Sequence, residues 1–132
     1  MENIIHLITP KKATNFLNED VTVRQALEKF DAHKFSTVPL LDDKGKYKGT
    51  LSEGDILRFI KNSCNFDIRI AESTKISEIP HYRPYSSIRV DASFEEIYAL
   101  ALEQNFVPIT DDYDTYIGII KRKDVLLELN KK

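Results

Sequence analysis

The chain holds a single cysteine, Cys64, so no intrachain disulfide can form, and only His6, His33 and His81 could join it, too few to suggest a zinc cluster. No motif around Cys64 marks a redox or nucleophilic thiol. Glycine is scarce too, with four residues and no P-loop among them. No apolar run approaches the roughly 20 residues of a membrane-spanning helix. The opening MENIIHLITPKK orders its charged and apolar residues wrongly for a secretory signal. A surplus of basic charge is missing as well. Nineteen Lys and Arg against 21 Asp and Glu leave a net charge of −2, which argues against a general nucleic-acid or anionic-membrane binder. No triad or carboxylate dyad stands out, so no residue is assigned a catalytic or metal-binding role, and the chain is expected not to be an enzyme. What remains is a cytoplasmic, soluble chain of 132 residues, enough for one compact domain or two half-domains sharing a core.

What the chain does have is one passage written twice. Residues 38–57 read VPLLDDKGKYKGTLSEGDIL, and residues 107–126, 69 positions later, read VPITDDYDTYIGIIKRKDVL. Eight of the twenty pairs are identical, including Asp42/Asp111, Tyr47/Tyr116, Gly49/Gly118 and Asp55/Asp124. A repeat of this kind means one supersecondary unit built twice.

Each copy opens with a helix signal. Thr22 with Gln25, and Ser93 with Glu96, can close capping boxes. Behind them Val23, Ala26, Leu27 and Phe30, and Phe94, Ile97, Tyr98 and Ala101, follow helical spacing. Val38-Pro39 and Val107-Pro108 then begin strands, because proline cannot donate to a ladder and belongs at a strand's start or edge. Turns at Asp42–Gly45 and Asp111–Asp114 lead to second strands at 47–51 and 116–120. A last helix follows in each copy, with Ile56, Phe59 and Ile60 inward in one and Val125, Leu126 and Leu129 in the other. Extended lead-ins precede the copies at about 13–17 and 87–90. Residues 66–70 read equally as strand or helix, and Ile76 and Ile79 before Pro80 suggest one helical turn. The capping boxes lie 71 residues apart but the hairpins only 69, so the second copy lacks two residues around Gln104-Asn105-Phe106.

Ser52-Glu53-Gly54-Asp55 is the first candidate for chemistry. A serine cap and an acidic first turn are what any helix prefers. The functional alternative is a helix start facing a cleft, where N–H groups favour phosphate and a carboxylate accepts ribose hydroxyls. In the second copy Asp124 returns, but Lys121 replaces the serine, followed by Arg122 and Lys123. Cations at a helix N-terminus oppose its dipole. Such a local violation suits either a bound phosphate or a solvated positive face.

These pieces together resemble the tandem CBS-domain module, named after cystathionine β-synthase and also called the Bateman module. The likeness covers nearly the whole chain. It rests on Ile8-Thr9-Pro10-Lys11, Val23-Arg24-Gln25-Ala26-Leu27, Val38-Pro39 and Gly49-Thr50-Leu51-Ser52-Glu53-Gly54-Asp55. The second set is Ile79-Pro80, Phe94-Glu95-Glu96-Ile97, Val107-Pro108 and Gly118-Ile119-Ile120-Lys121-Arg122-Lys123-Asp124. The resemblance implies an α/β (α+β) fold of two β-α-β-β-α repeats, 1–66 and 67–132, packed with pseudo-two-fold symmetry and clefts at their interface.

It also implies a regulatory adenine-nucleotide sensor that signals by conformational or oligomeric change. The ligand would be AMP, ADP or ATP, with cyclic di-AMP the serious alternative and S-adenosylmethionine a weaker one. The ribose-binding hydroxyl and aspartate map onto Ser52 and Asp55, and in the second copy onto Asp124, where Lys121 departs from the family's Thr or Ser. The base would lie among Thr14, Asn15 and Phe16 with Phe35, Ser36, Thr37, Val38 and Pro39. In the second copy it would lie among Ile88, Arg89 and Val90 with Asn105, Phe106, Val107 and Pro108, beside Lys121 and Arg122. Phe35 and Phe106 read equally well as core. No catalytic cofactor is implied, and the expected partners are a nucleotide, a second copy in a homodimer, and an unnamed protein. A ligand-free structural or dimerisation module is the competing reading, with Phe59, Leu126, Leu127 and Leu129 as its apolar face.

Overall fold

The computed structural model describes residues 4–34, 36–63, 67–80 and 85–131. Phe35, Cys64, Phe66 and residues 81–84 lie outside them. In chain order the first half contains β1 (Thr9–Pro10), β2 (Leu17–Asn18), α1 (Val23–His33), β3 (Thr37–Leu41), β4 (Tyr47–Ser52) and α2 (Glu53–Ser63). The second contains α3 (Ile68–Ser73), β5 (Ile88–Arg89), α4 (Phe94–Ala101), β6 (Phe106–Thr110), β7 (Tyr116–Lys121) and α5 (Arg122–Leu129). This is the mixed α and β pattern that the repeat implies.

Contacts divide the chain into two units that interleave along the sequence. One takes in Asn15–Asp43 and Lys48–Pro84, the other Met1–Thr14, Lys44–Tyr47 and Tyr85–Lys132. The first unit is built on the sheet β2-β3-β4. β2 runs parallel to β3, with Leu17 opposite Leu40 and Asn18 opposite Leu41. Pro39 therefore sits one residue before the pairing with β2 begins, a position that a residue without an N–H tolerates.

α1 is capped as its sequence requires: Thr22 Oγ accepts from the Gln25 N–H and the Gln25 side chain accepts from the Thr22 N–H. Its stripe of Val23, Ala26 and Phe30 is buried with Val38, Leu40, Leu51 and Ile56. The ambiguous segment resolves to a helix, α3, whose start is capped by Asp67 accepting from the Arg69 N–H. The Arg69 side chain and N–H together hold the Asp67 carboxyl below its ordinary range. Ala71 and the 3-10 turn at Ile76–Glu78 complete this core. Ile76 N–H donates to Val21 O, and Ser77 N–H to Glu19 O, so the connecting segment closes the first repeat. Arg24 on α1 pairs with Glu72 on α3.

The second unit has the sheet order β1-β7-β6-β5. β5 pairs parallel with β6 from Ile88 opposite Ile109, so Pro108 again precedes that pairing, while on its other side it stands opposite Ile119 of β7. β1 is supplied by the amino-terminal segment and runs antiparallel to β7, with Pro10 opposite Gly118. Ile4 and Leu7 enter the core formed by Phe94, Ile97, Ala101, Val107, Ile109, Ile120 and Val125. The turn at Lys44–Tyr47 also belongs here: Tyr47 N–H donates to Asp114 O and Tyr116 N–H to Gly45 O.

Two expectations change. Of the α5 residues expected inward, only Val125 is buried, while Leu126 and Leu129 are exposed. Leu126 lies about 100° round the helix from Val125, and Leu129 is its last residue, so the packing that covers Val125 reaches neither. The missing two residues come out of the helix as well. α4 is 8 residues long against 11 for α1, and the connection that follows it is not shortened.

Candidate functional site

In the first repeat β4 runs directly into α2, and this junction carries the candidate chemistry. Ser52 Oγ accepts from the Asp55 N–H at 3.1 Å, and Asp55 Oδ2 accepts from the Ser52 N–H at 3.0 Å. This is a reciprocal cap with aspartate in the place usually taken by Glu or Gln. Arg58 Nη2 donates to Asp55 Oδ1 at 2.8 Å. The carboxylate is 5% exposed, so a paired cation offsets the cost of burying it. Glu53 N–H donates to Ser36 O at 3.0 Å and fixes the approach to β3 at the helix start.

The structure thus gathers Ser36, Ser52 and Asp55 at one junction. Thr37 is half-buried there, and Val38 and Pro39 are buried beneath the start of β3. The chain at Asn15 and Phe16 is exposed and runs into β2 alongside β3. Thr14 belongs to the other unit. Its hydroxyl donates to Lys11 O at 2.7 Å and lies 2.8 Å from the Tyr116 hydroxyl.

The second repeat repeats the backbone of this junction and changes its side chains. Arg122 N–H donates to Asn105 O at 3.0 Å, the counterpart of the Glu53 bond to Ser36. Lys121 stands at the cap position of α5 and makes no side-chain cap. The Arg122 Nε donates to Ala101 O at 2.7 Å, closing the carboxyl end of α4. Lys121 and Lys123 are exposed. Asp124 is half-buried and makes no hydrogen bond or ion pair among the described residues.

The approach to β6 is filled from within. Phe106 is buried with its ring 4.9 Å from that of Tyr85, edge to face. Gln104, which the sequence marked only as the place of a deletion, is a clamp: Oε1 accepts from the Ser86 N–H, and Nε2 donates to Ser86 O and Phe106 O. Asn105 N–H donates to the Tyr85 hydroxyl. Of the candidates here, Ile88 is half-buried, Arg89 and Asn105 are exposed, and Val107 and Pro108 are buried.

A model of the CBS domain matches residues 7–62 and 76–131. The chain belongs to the CBS-domain family. No curated protein matches it in sequence. Among solved structures, CbpB in complex with c-di-AMP superposes with a TM-score of 0.87 at 22% identity, over 98% of this chain and 85% of that one. CbpB from Listeria monocytogenes in complex with c-di-AMP gives 0.86 at 20%, covering 98% and 96%. CBSX2 in complex with AMP gives 0.76 at 21%, covering 99% and 98%.

Within the unit that contains the second CBS repeat, Asp124 lines a polar pocket of about 270 Å³ with His6, Leu7, Ile8, Thr9, Leu127, Glu128 and Lys131. His6 Nε2 lies 3.2 Å from Glu128 Oε2. Sequence placed Ile8-Thr9-Pro10 ahead of the first repeat, and nothing local reveals that it lines a pocket of the second. The larger groove in the first repeat, about 590 Å³ between α1 and α2, is lined by Leu27, Phe30, Leu57 and Ile60 and does not include Ser52 or Asp55. Among the described residues no three ligands gather as a metal site, and no helix is long and apolar enough to cross a membrane.

Proposed function

We propose that this chain is a regulatory module that binds an adenine nucleotide and passes the event to a partner as a change of conformation or assembly. One observation carries the reading: both CBS repeats place an aspartate, Asp55 or Asp124, in the first turn of the helix that follows the hairpin. Carboxylate oxygens there suit ribose hydroxyls, and a helix N-terminus suits phosphate. The complexes of CbpB with c-di-AMP and of CBSX2 with AMP support the ligand class. AMP, ADP, ATP and cyclic di-AMP are the candidates. Ser52 and Asp55 are the proposed ribose site of the first repeat. Asp124, Lys121 and the exposed Lys123 are proposed for a nucleotide carrying more phosphate charge. The role is binding, not catalysis.

A thermal-shift panel of these nucleotides, followed by calorimetry, tests the proposal. A ligand at ~100 times its dissociation constant adds about 2.7 kcal/mol, several degrees in melting temperature for a domain of this size. A panel in which no adenine compound moves the transition would leave the second reading, a structural module. Phe106 and Gln104 filling the approach to β6, and Leu57, Leu126 and Leu127 exposed on α2 and α5, favour that alternative. Leu126 and Leu127 on α5 are the proposed contact for a second copy.

A further inference from the structure

Asp55 and Asp124 occupy equivalent positions, but only Asp55 is held. Its two oxygens are bound separately, Oδ2 by the Ser52 N–H and Oδ1 by Arg58 Nη2. One donor precedes the helix and the other sits in its second turn, and together they fix the plane of the carboxylate between them. The arginine has a seat of its own. The guanidinium lies over Gly54, where a Cβ would meet Arg58 Nη1 at 3.4 Å and Ser52 Oγ at 3.7 Å, ordinary contact distances. In the second repeat the counterparts of Ser52, Gly54 and Arg58 are Lys121, Lys123 and Leu127. All three parts of the clamp are gone and the aspartate alone remains.

We infer that Arg58 is a positioning residue that presets the Asp55 carboxylate for sugar hydroxyls, and that it makes the first repeat the tighter ribose site. This rests on the reading of Asp55 as the ribose acceptor. A carboxylate accepts about four hydrogen bonds, so donors that fix its plane need not exclude a hydroxyl. Orienting the group before the ligand arrives removes an ordering cost from binding. A guanidinium is the residue for this task because it is planar and permanently charged, whereas a lysine would hold the carboxylate as a point charge without fixing its plane. Arg58 is 44% exposed in its side chain, so its replacement leaves the core intact.

The test is a cycle between protein and ligand. Calorimetry measures AMP and cyclic di-AMP, each against its deoxyribose counterpart, on the wild type, Arg58→Leu, Arg58→Lys and Asp55→Ala. The expected result is a loss of about tenfold on Arg58→Leu for the ribose ligand, shrinking to less than about twofold for the deoxy ligand and in the Asp55→Ala background. Arg58→Lys should fall between, and it carries the test if the leucine variant does not fold. An equal loss for ribose and deoxyribose ligands would overturn the inference, since Arg58 would then act on the phosphate or on the fold. Affinity unchanged in Arg58→Leu overturns it too. A wild type that binds neither nucleotide, or an Asp55→Ala that binds normally, removes the ribose reading itself and the inference with it.

Discussion

The Tyr116 hydroxyl lies 2.8 Å from Thr14 Oγ1, and that contact pins the lead-in of one repeat to a strand of the other. Its mirror is the bond from the Tyr47 hydroxyl to Tyr85 O at 2.9 Å. Tyr47 precedes Tyr116 by 69 residues and Thr14 precedes Tyr85 by 71, the two offsets of the repeat. Each repeat's lead-in is therefore latched by the other repeat's tyrosine. Tyr116 is 1% exposed, and burial pushes its phenol up to about 12, an effect that the Thr14 bond partly opposes.

The alkaline stability profile should report this phenol. The unfolded chain releases the proton near pH 10, while the folded chain keeps it to about 12. The native state binds more protons between those values, so stability is fully present below pH 10 and falls as pH rises toward 12. Urea unfolding across that range should show the decline in the wild type and a shallower one in Tyr116→Phe. At neutral pH the same variant should lose about 1 kcal/mol, the worth of one hydrogen bond. Equal slopes for the two proteins would mean that burial does not hold the phenol protonated, and an unchanged stability at neutral pH would discard the latch.

The two aspartates should separate in stability before any ligand is added. Asp55→Ala removes a cap and a buried partner of Arg58, and should cost about 2 kcal/mol. Asp124→Ala removes no bond among the described residues and should stay within about 0.5 kcal/mol. Denaturant midpoints decide it. Nucleotide binding at the first repeat should be abolished or greatly weakened in Asp55→Ala while the protein remains folded.

What the sequence made legible was local. Thr22 with Gln25 and Ser93 with Glu96 are three residues apart, and both capping boxes form as read. Ser52 and Asp55 have the same spacing, and the cap they form was foreseen as the plain structural alternative. Residues 66–70 read both ways because Ile68 and Ile70 alternate as in a strand, and the Asp67 cap and the packing of Ala71 decide for a helix from Ile68. The missed features are distant in sequence. Thr14 meets Tyr116 across 102 positions, and Gln104 reaches back 18 to Ser86. No periodicity encodes such pairs. Leu126 and Leu129 misled because leucine on a short helix was read as core, yet both face solvent.

Gln104 should prove among the costliest single side chains of the second repeat. It is 6% exposed and satisfies two backbone groups of Ser86 and one of Phe106. Replacing it with leucine keeps the volume but leaves those groups without their partner, at about 1–3 kcal/mol for the first and less for the others. The expected loss is about 3 kcal/mol in chemical unfolding. Faster amide exchange at Ser86 and Asn105 would locate it. A loss below about 1 kcal/mol would mean that water replaces the clamp.

The paired glycines of the repeats should respond unequally to alanine. Gly49 and Gly118 both hold positive φ, 144° and 156°, so each substitution carries backbone strain. At Gly49 nothing lies within 4 Å of the added methyl group, and the strain of about 1 kcal/mol is the whole expected cost. At Gly118 the methyl would sit 2.2 Å from Thr9 O and 2.9 Å from the Ile8 side chain. Backbone cannot yield as a flexible side chain can, so β1 must leave β7, taking with it the ladder at Thr9 and Pro10. Gly118→Ala should therefore lose at least about 2 kcal/mol more than Gly49→Ala in thermal unfolding. Amides of β7 opposite β1, Ile119 among them, should exchange faster in that variant alone. Equal melting temperatures for the two variants would show that the amino-terminal strand is not held where the sheet places it.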